Sequence, residues 1–104
     1  MTNNRKEYLK QYRTTPKGKW CLYKYNSKIK GLSFELTFKE FTELVSQNCY
    51  YCGEKGFGID RIDNNIGYKL SNCYPCCSIC NYMKSDRNIK QFTNHCKKIA
   101  SNLI

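Results

Sequence analysis

Four cysteines in two CxxC pairs, Cys49-Tyr50-Tyr51-Cys52 and Cys77-Ser78-Ile79-Cys80, carry the clearest chemistry in this chain. A tight knuckle presents two thiolates, half of a tetrahedral zinc shell, and a second knuckle completes it. Cys73-Tyr74-Pro75-Cys76 is a third CxxC, and it competes with Cys77 and Cys80 for the role of second knuckle. Between the knuckles run Gly58-Ile59-Asp60-Arg61-Ile62-Asp63, then Gly67-Tyr68 and Asn72; the chain leaves the second knuckle through Asn81 and Lys84.

The elements that must position these residues are short. Phe57 to Ile62 alternates as a strand does, Asp63-Asn64-Asn65-Ile66-Gly67 is a turn, and Tyr68 to Tyr74 reads as a looser return strand limited by Pro75. Cys77 to Met83 suits a helix that starts at the knuckle. Ahead of them, Leu32 to Leu36 alternates as a short strand. Thr37 with Glu40 forms a capping box for a helix over about 38–47, whose apolar positions Phe38, Phe41, Leu44 and Val45 face a core. A last helix spans Ile89 to Leu103, with Ile89, Phe92, Cys96, Ile99 and Leu103 as its stripe. In the first 30 residues, Tyr8, Leu9 and Tyr12 suit one short helix, Thr14 to Gly18 breaks it, and Trp20 to Ile29 suits another.

The 104 residues hold 18 Lys and Arg against 8 Asp and Glu, a net charge of +10. Such an excess attracts polyanions, nucleic acid first. It is uneven: residues 1–31 carry nine basic side chains and one acidic, residues 32–104 nine and seven. The chain divides accordingly into a basic, aromatic N-terminal extension (1–31) and a metal-bound domain with a C-terminal helix (32–104). Lys17 and Lys19 in the extension, and Lys84 and Arg87 beyond the second knuckle, are the candidate phosphate contacts. The eight cysteines sit behind an N-terminus with no apolar leader, and no apolar run approaches membrane-spanning length, so an intracellular metal-binding protein is expected, neither secreted nor in a membrane. Cys21 and Cys96 are expected to be buried thiols, and His95 a surface residue.

Knuckle, strand with Asp60, turn, return strand, and a helix opening on Cys80-Asn81-x-x-Lys84 together resemble the HNH, or ββα-metal, nuclease superfamily over residues 49–85. With the flanks the likeness covers about 70 residues and looks like the zinc-knuckle phage and large-DNA-virus type. The fold this implies is α+β, a small zinc-stapled ββα-metal domain of treble-clef kind with flanking helices and the basic extension. The family register favours Cys49, Cys52, Cys77 and Cys80 as ligands of a structural Zn2+. It implies Asp60 and Asn81 as ligands of a catalytic divalent ion, Mg2+ or Mn2+, and Asn72 as the residue that fixes the hairpin or orients the base. One carboxylate and one amide oxygen leave most of such an ion's sphere to water and phosphate.

The pattern departs from the family at one position. The residue after Asp60 is usually a His that activates water, and here it is Arg61; the one His, His95, lies outside the motif. An Arg stays protonated and cannot be a general base. Arg61 is then expected to clamp the phosphate, and the base to be a metal-bound hydroxide or Tyr68 with a lowered pKa. The resemblance implies an endonuclease hydrolysing DNA phosphodiester bonds, alone or as a homodimer, acting in the host cytoplasm or nucleus if the source is viral. The alternative is a non-catalytic, zinc-containing DNA- or RNA-binding module with a degenerate site, and a third reading is an accessory protein of a larger nucleoprotein machine.

Overall fold

The computed structural model describes residues 2–104. Among these, five α-helices surround one two-stranded antiparallel sheet, an α+β architecture. The order is α1 (Thr2–Thr14), α2 (Pro16–Ile29), α3 (Phe38–Val45), β1 (Gly58–Arg61), a 3-10 turn (Leu70–Asn72), β2 (Cys73–Cys76), α4 (Ser78–Lys84) and α5 (Ile89–Leu103). Helix α3 starts at the expected capping box, with Thr37 accepting from the Glu40 amide and Glu40 from the Thr37 amide. Helix α5 has its own box, built from Asn88 and Gln91.

Three expectations shift. The segment Thr14 to Gly18 is a corner, and α2 already begins in it. Thr15 caps α2 by accepting from the Gly18 amide, and Pro16 takes the first turn, where its missing N–H costs nothing. Leu32 to Leu36 is no strand; its pairing is a single parallel bridge, Phe34 with Tyr68. Gly67 permits that approach, because a Cβ there would collide with Ser33. The return strand lies later than expected, at Cys73–Cys76, and contains Pro75. In a sheet of two strands each has an open edge, so a proline can point its nitrogen away from the ladder. Its carbonyl still works, accepting from the Tyr50 amide at 2.8 Å.

The register pairs Ile59 with Pro75, Asp60 with Tyr74 and Arg61 with Cys73. Side chains alternate across the hairpin. One face, with Ile59 and Cys73, joins Leu36, Phe41 and Leu44 in the main core, and Trp20, Tyr23, Phe34, Val45 and Tyr68 pack around it. Helix α2 is fastened to this face: Trp20 donates its indole N–H to the Leu36 carbonyl at 3.0 Å, and the Tyr23 hydroxyl accepts from the Ile59 amide at 3.2 Å. The other face, with Asp60 and Tyr74, meets α4 and a smaller core of Cys49, Cys76 and Cys80, and α5 packs against α4. Tyr8 and Tyr25, on α1 and the outer side of α2, are exposed.

Candidate functional site

The first knuckle follows α3 and closes on Gly53, whose φ of 78° lies where a side chain would be strained; its amide donates to the Cys49 carbonyl. The second knuckle sits at the end of β2. Cys77 caps α4, its sulfur accepting from the Cys80 amide at 3.3 Å. The Sγ atoms of Cys49, Cys52, Cys77 and Cys80 all lie within 4.8 Å of one another, and those of Cys52 and Cys77 are 3.7 Å apart. A zinc ion with Zn–S bonds of about 2.3 Å needs tetrahedral edges of about 3.8 Å, so the donor set fits zinc.

The thiols of the group differ in acidity. Burial raises the Cys49 thiol, but N–H groups of Cys52, Cys77 and Tyr51 outweigh it and bring the pKa down to about 6. Cys80 is pushed far up, by burial first and then by its sulfur neighbours, so it needs a cation to ionise. Cys76, raised to about 12 by burial and then by Cys49, stays a neutral thiol packed beside the cluster. Cys73 lies in the main core. Among the described residues this is the one group of His, Cys, Asp and Glu close enough to hold a metal. Cys21, expected to be buried, is exposed on α2, its sulfur 4.0 Å from the Tyr12 hydroxyl; Cys96 is half-buried.

The hairpin divides the other candidates between its two faces. On the α4 face stands Asp60, 3% exposed. Its Oδ1 accepts from the Lys84 ammonium at 3.0 Å, and its Oδ2 from the Tyr51 hydroxyl at 2.5 Å. The Tyr51 phenol is held protonated, its pKa pushed well up by burial and then by Asp60. Lys84 also reaches the Arg61 carbonyl at 3.5 Å. Asn81 stands one turn before Lys84 on α4 and donates from Nδ2 to the Ile59 carbonyl at 3.2 Å, which leaves its Oδ1 as a donor to a cation. Asp60 and Asn81 therefore have the donor types a hard cation takes, but as folded both Asp60 oxygens are engaged.

Arg61 is on the opposite face. Its Nη1 donates to the Asn64 and Ile66 carbonyls at 2.7 and 3.1 Å, and its guanidinium lies 5.3 Å from the Tyr68 ring centre. The expected lowering of the Tyr68 pKa is not found. Burial among Tyr23, Phe34 and the core raises it, and the opposing pull of Arg61 does not overcome that. Asn72 is buried beneath the turn between the strands. Its Oδ1 accepts from the Asp63 amide at 2.9 Å, and its Nδ2 donates to the carbonyls of Asp63, Ile66 and Gly67 at 3.0 to 3.2 Å.

Of the expected phosphate contacts, Lys84 is not on a solvated helix face: its side chain is 0% exposed, paired with Asp60. Lys17 and Arg87 are exposed. Lys17 lies over Trp20 and Phe38. Lys19 stands 4.9 Å from the ring centre of exposed Phe57, and Lys55, which sequence reasoning passed over, stands 5.3 Å from the same ring. Lys19, Lys55 and Phe57 line a groove of 1030 Å³ together with Leu22, Tyr51, Ile79, Met83 and Asn81. Tyr51 was equally missed; the only hint of it was its place inside the first knuckle.

No family model matches the chain. It is similar to an uncharacterized protein, R423, of Acanthamoeba polyphaga mimivirus, 46% identical over 95 residues, which cover 88% of this chain and 18% of that protein. The chain thus spans less than a fifth of that viral relative's length. Among solved structures it is similar to the rare-cutting HNH restriction endonuclease PacI, with a TM-score of 0.62 and 23% identity over 80% of this chain and 75% of that one. At that identity the likeness shows the fold: the chain has an HNH-like fold around its four-cysteine group.

Proposed function

We propose that this protein is an HNH-type endonuclease that hydrolyses DNA phosphodiester bonds, on a scaffold stapled by structural zinc and with a divalent ion, Mg2+ or Mn2+, drawn to Asp60 and Asn81. The observation that carries this reading is the crossing of β1 and α4 below the thiol cluster, where Asp60 and Asn81 meet the same short stretch of strand. A bound divalent ion supplies polarisation of the phosphodiester and stabilisation of the leaving oxygen. Arg61, on the hairpin face opposite Asp60, keeps N–H groups beyond those bonded to the turn and can present them to a neighbouring phosphate. Tyr68 is its ring partner, and Asn72 holds the turn that aims both. Lys17, Lys19 and Arg87 contribute charge along the DNA backbone. The viral relative and the basic composition suit work on DNA inside a host cell, in cytoplasm or nucleus; a homodimer would allow two cuts.

A second reading has its own observation. The buried pairing of Asp60 with Lys84 would suit a non-catalytic DNA- or RNA-binding module whose site has been retired. The two readings part in a plasmid-cleavage assay with Asp60→Ala and Asn81→Ala. The first expects both variants to stop cutting while still binding DNA; unchanged cleavage by Asp60→Ala would sink the site assignment.

A further inference from the structure

The Asp60 carboxylate already has a cation. Lys84 Nζ sits 3.0 Å from Oδ1, Tyr51 closes Oδ2, and the two charged side chains are 0% and 4% exposed. A magnesium ion would stand about 2.0–2.1 Å from the same oxygen and would demand near-octahedral space around it. An ammonium on the same oxygen would stand about 4 Å from that ion, and at that range like charges repel strongly in a site shielded from water.

We propose that Lys84 is a built-in cation that keeps the Asp60 seat closed to a divalent ion, so that ion binding requires Lys84 to leave and is favoured when an anionic phosphate arrives to receive its charge. This rests on the reading of the site as a DNA-cutting one and adds its regulation. Three features support it. Lys84 is the last residue of α4, and the next residue, Ser85, holds φ 53° and ψ −127°, an unusual conformation that ends the helix at the pair. Asn81, on the same helix, keeps Oδ1 for an incoming ion. Tyr51 and Asn81 line the same groove as Lys19 and Lys55, so a phosphate drawn to those lysines comes up beside the closed seat.

The consequence is a competition that can be read without any cleavage. A ligand for a state populated only in part binds more weakly by that fraction. Zinc-loaded protein free of DNA is titrated with Mn2+, and unbound Mn2+ is followed by electron paramagnetic resonance. Wild type should bind Mn2+ weakly. Lys84→Met, which keeps the apolar stem and removes the charge, should bind one Mn2+ about tenfold or more tightly. Asp60→Asn combined with Lys84→Met should lose that site. Wild type binding as tightly as Lys84→Met, or a folded Lys84→Met with no gain, overturns the proposal. Should Lys84→Met fail to fold, acylation of lysines by an N-hydroxysuccinimide ester, read by mass spectrometry, decides it. Lys84 should be the slowest lysine in wild type and faster in Asp60→Asn. Lys84 reacting in wild type at the rate of exposed Lys97, or showing no change in Asp60→Asn, overturns it. A protein that cuts no plasmid leaves these results readable, so the two readings fail separately.

Discussion

Replacing Asn72 with Ala should destabilise the protein markedly, and the size of the effect follows from its bonds. The side chain accepts once, from the Asp63 amide, and its two amide protons are shared among three carbonyls. That is about three hydrogen bonds, each contributing ~1 kcal/mol net. Asp63 and Ile66 lie nearer the surface, and water can take over part of their bonding, whereas the Gly67 carbonyl is buried with its residue. A loss of ~2–3 kcal/mol is expected, which for a domain of this size lowers the melting temperature by roughly 8–24 °C. Asn72→Asp should do at least as much harm, since it turns an oxygen towards carbonyls that now receive an N–H. Thermal unfolding of the zinc-loaded variants by circular dichroism measures this. An Asn72→Ala protein melting within about 3 °C of wild type would refute the assignment of Asn72 as the tie of the hairpin turn.

Purified protein should carry one zinc per chain by elemental analysis. Cys80→Ser or a strong chelator should remove it and unfold the hairpin and α4 by circular dichroism, since a structural zinc is worth ~10–16 kcal/mol in small domains, as much as a whole domain's stability. Lys19→Ala with Lys55→Ala should lower the slope of log K against log salt for DNA, measured by fluorescence anisotropy, by about 0.9 for each phosphate no longer neutralised; an unchanged slope would remove both from the interface. Ser85→Gly should raise stability to urea by about 1 kcal/mol, because glycine takes φ 53° and ψ −127° without a Cβ penalty.

The parts of this fold that could be read from the sequence are those set by local patterns. The Thr37–Glu40 box announces α3, the apolar stripe announces α5 at its observed limits, and the knuckle spacing announces a four-thiol cluster whose second pair the spacing alone left open between Cys73/Cys76 and Cys77/Cys80. Patterns that depend on partners were harder. Leu32 to Leu36 alternates like a strand, yet the chain offers it only the Tyr68 bridge. Pro75 reads as a strand stop, and an open edge made it a strand member. Lys84 read as a phosphate contact because nothing local marks its partner; Asp60 is 24 residues away, and only the crossing of β1 and α4 brings the charges together. Strand alternation separates Asp60 from Arg61. Adjacent residues on a strand point to opposite faces, so the motif's neighbouring letters serve different neighbourhoods.

Endonuclease activity at Asp60 is put to the test by incubating zinc-loaded wild-type protein and Asp60→Ala with supercoiled plasmid, in Mg2+ or Mn2+ and in EDTA, and scoring nicked and linear product. Wild type should nick or linearise the plasmid only with the added ion, and Asp60→Ala should leave it intact. Intact plasmid in every tube, with salt-sensitive binding of the same DNA by wild type, would refute the nuclease and leave a zinc-stapled binding module in its place.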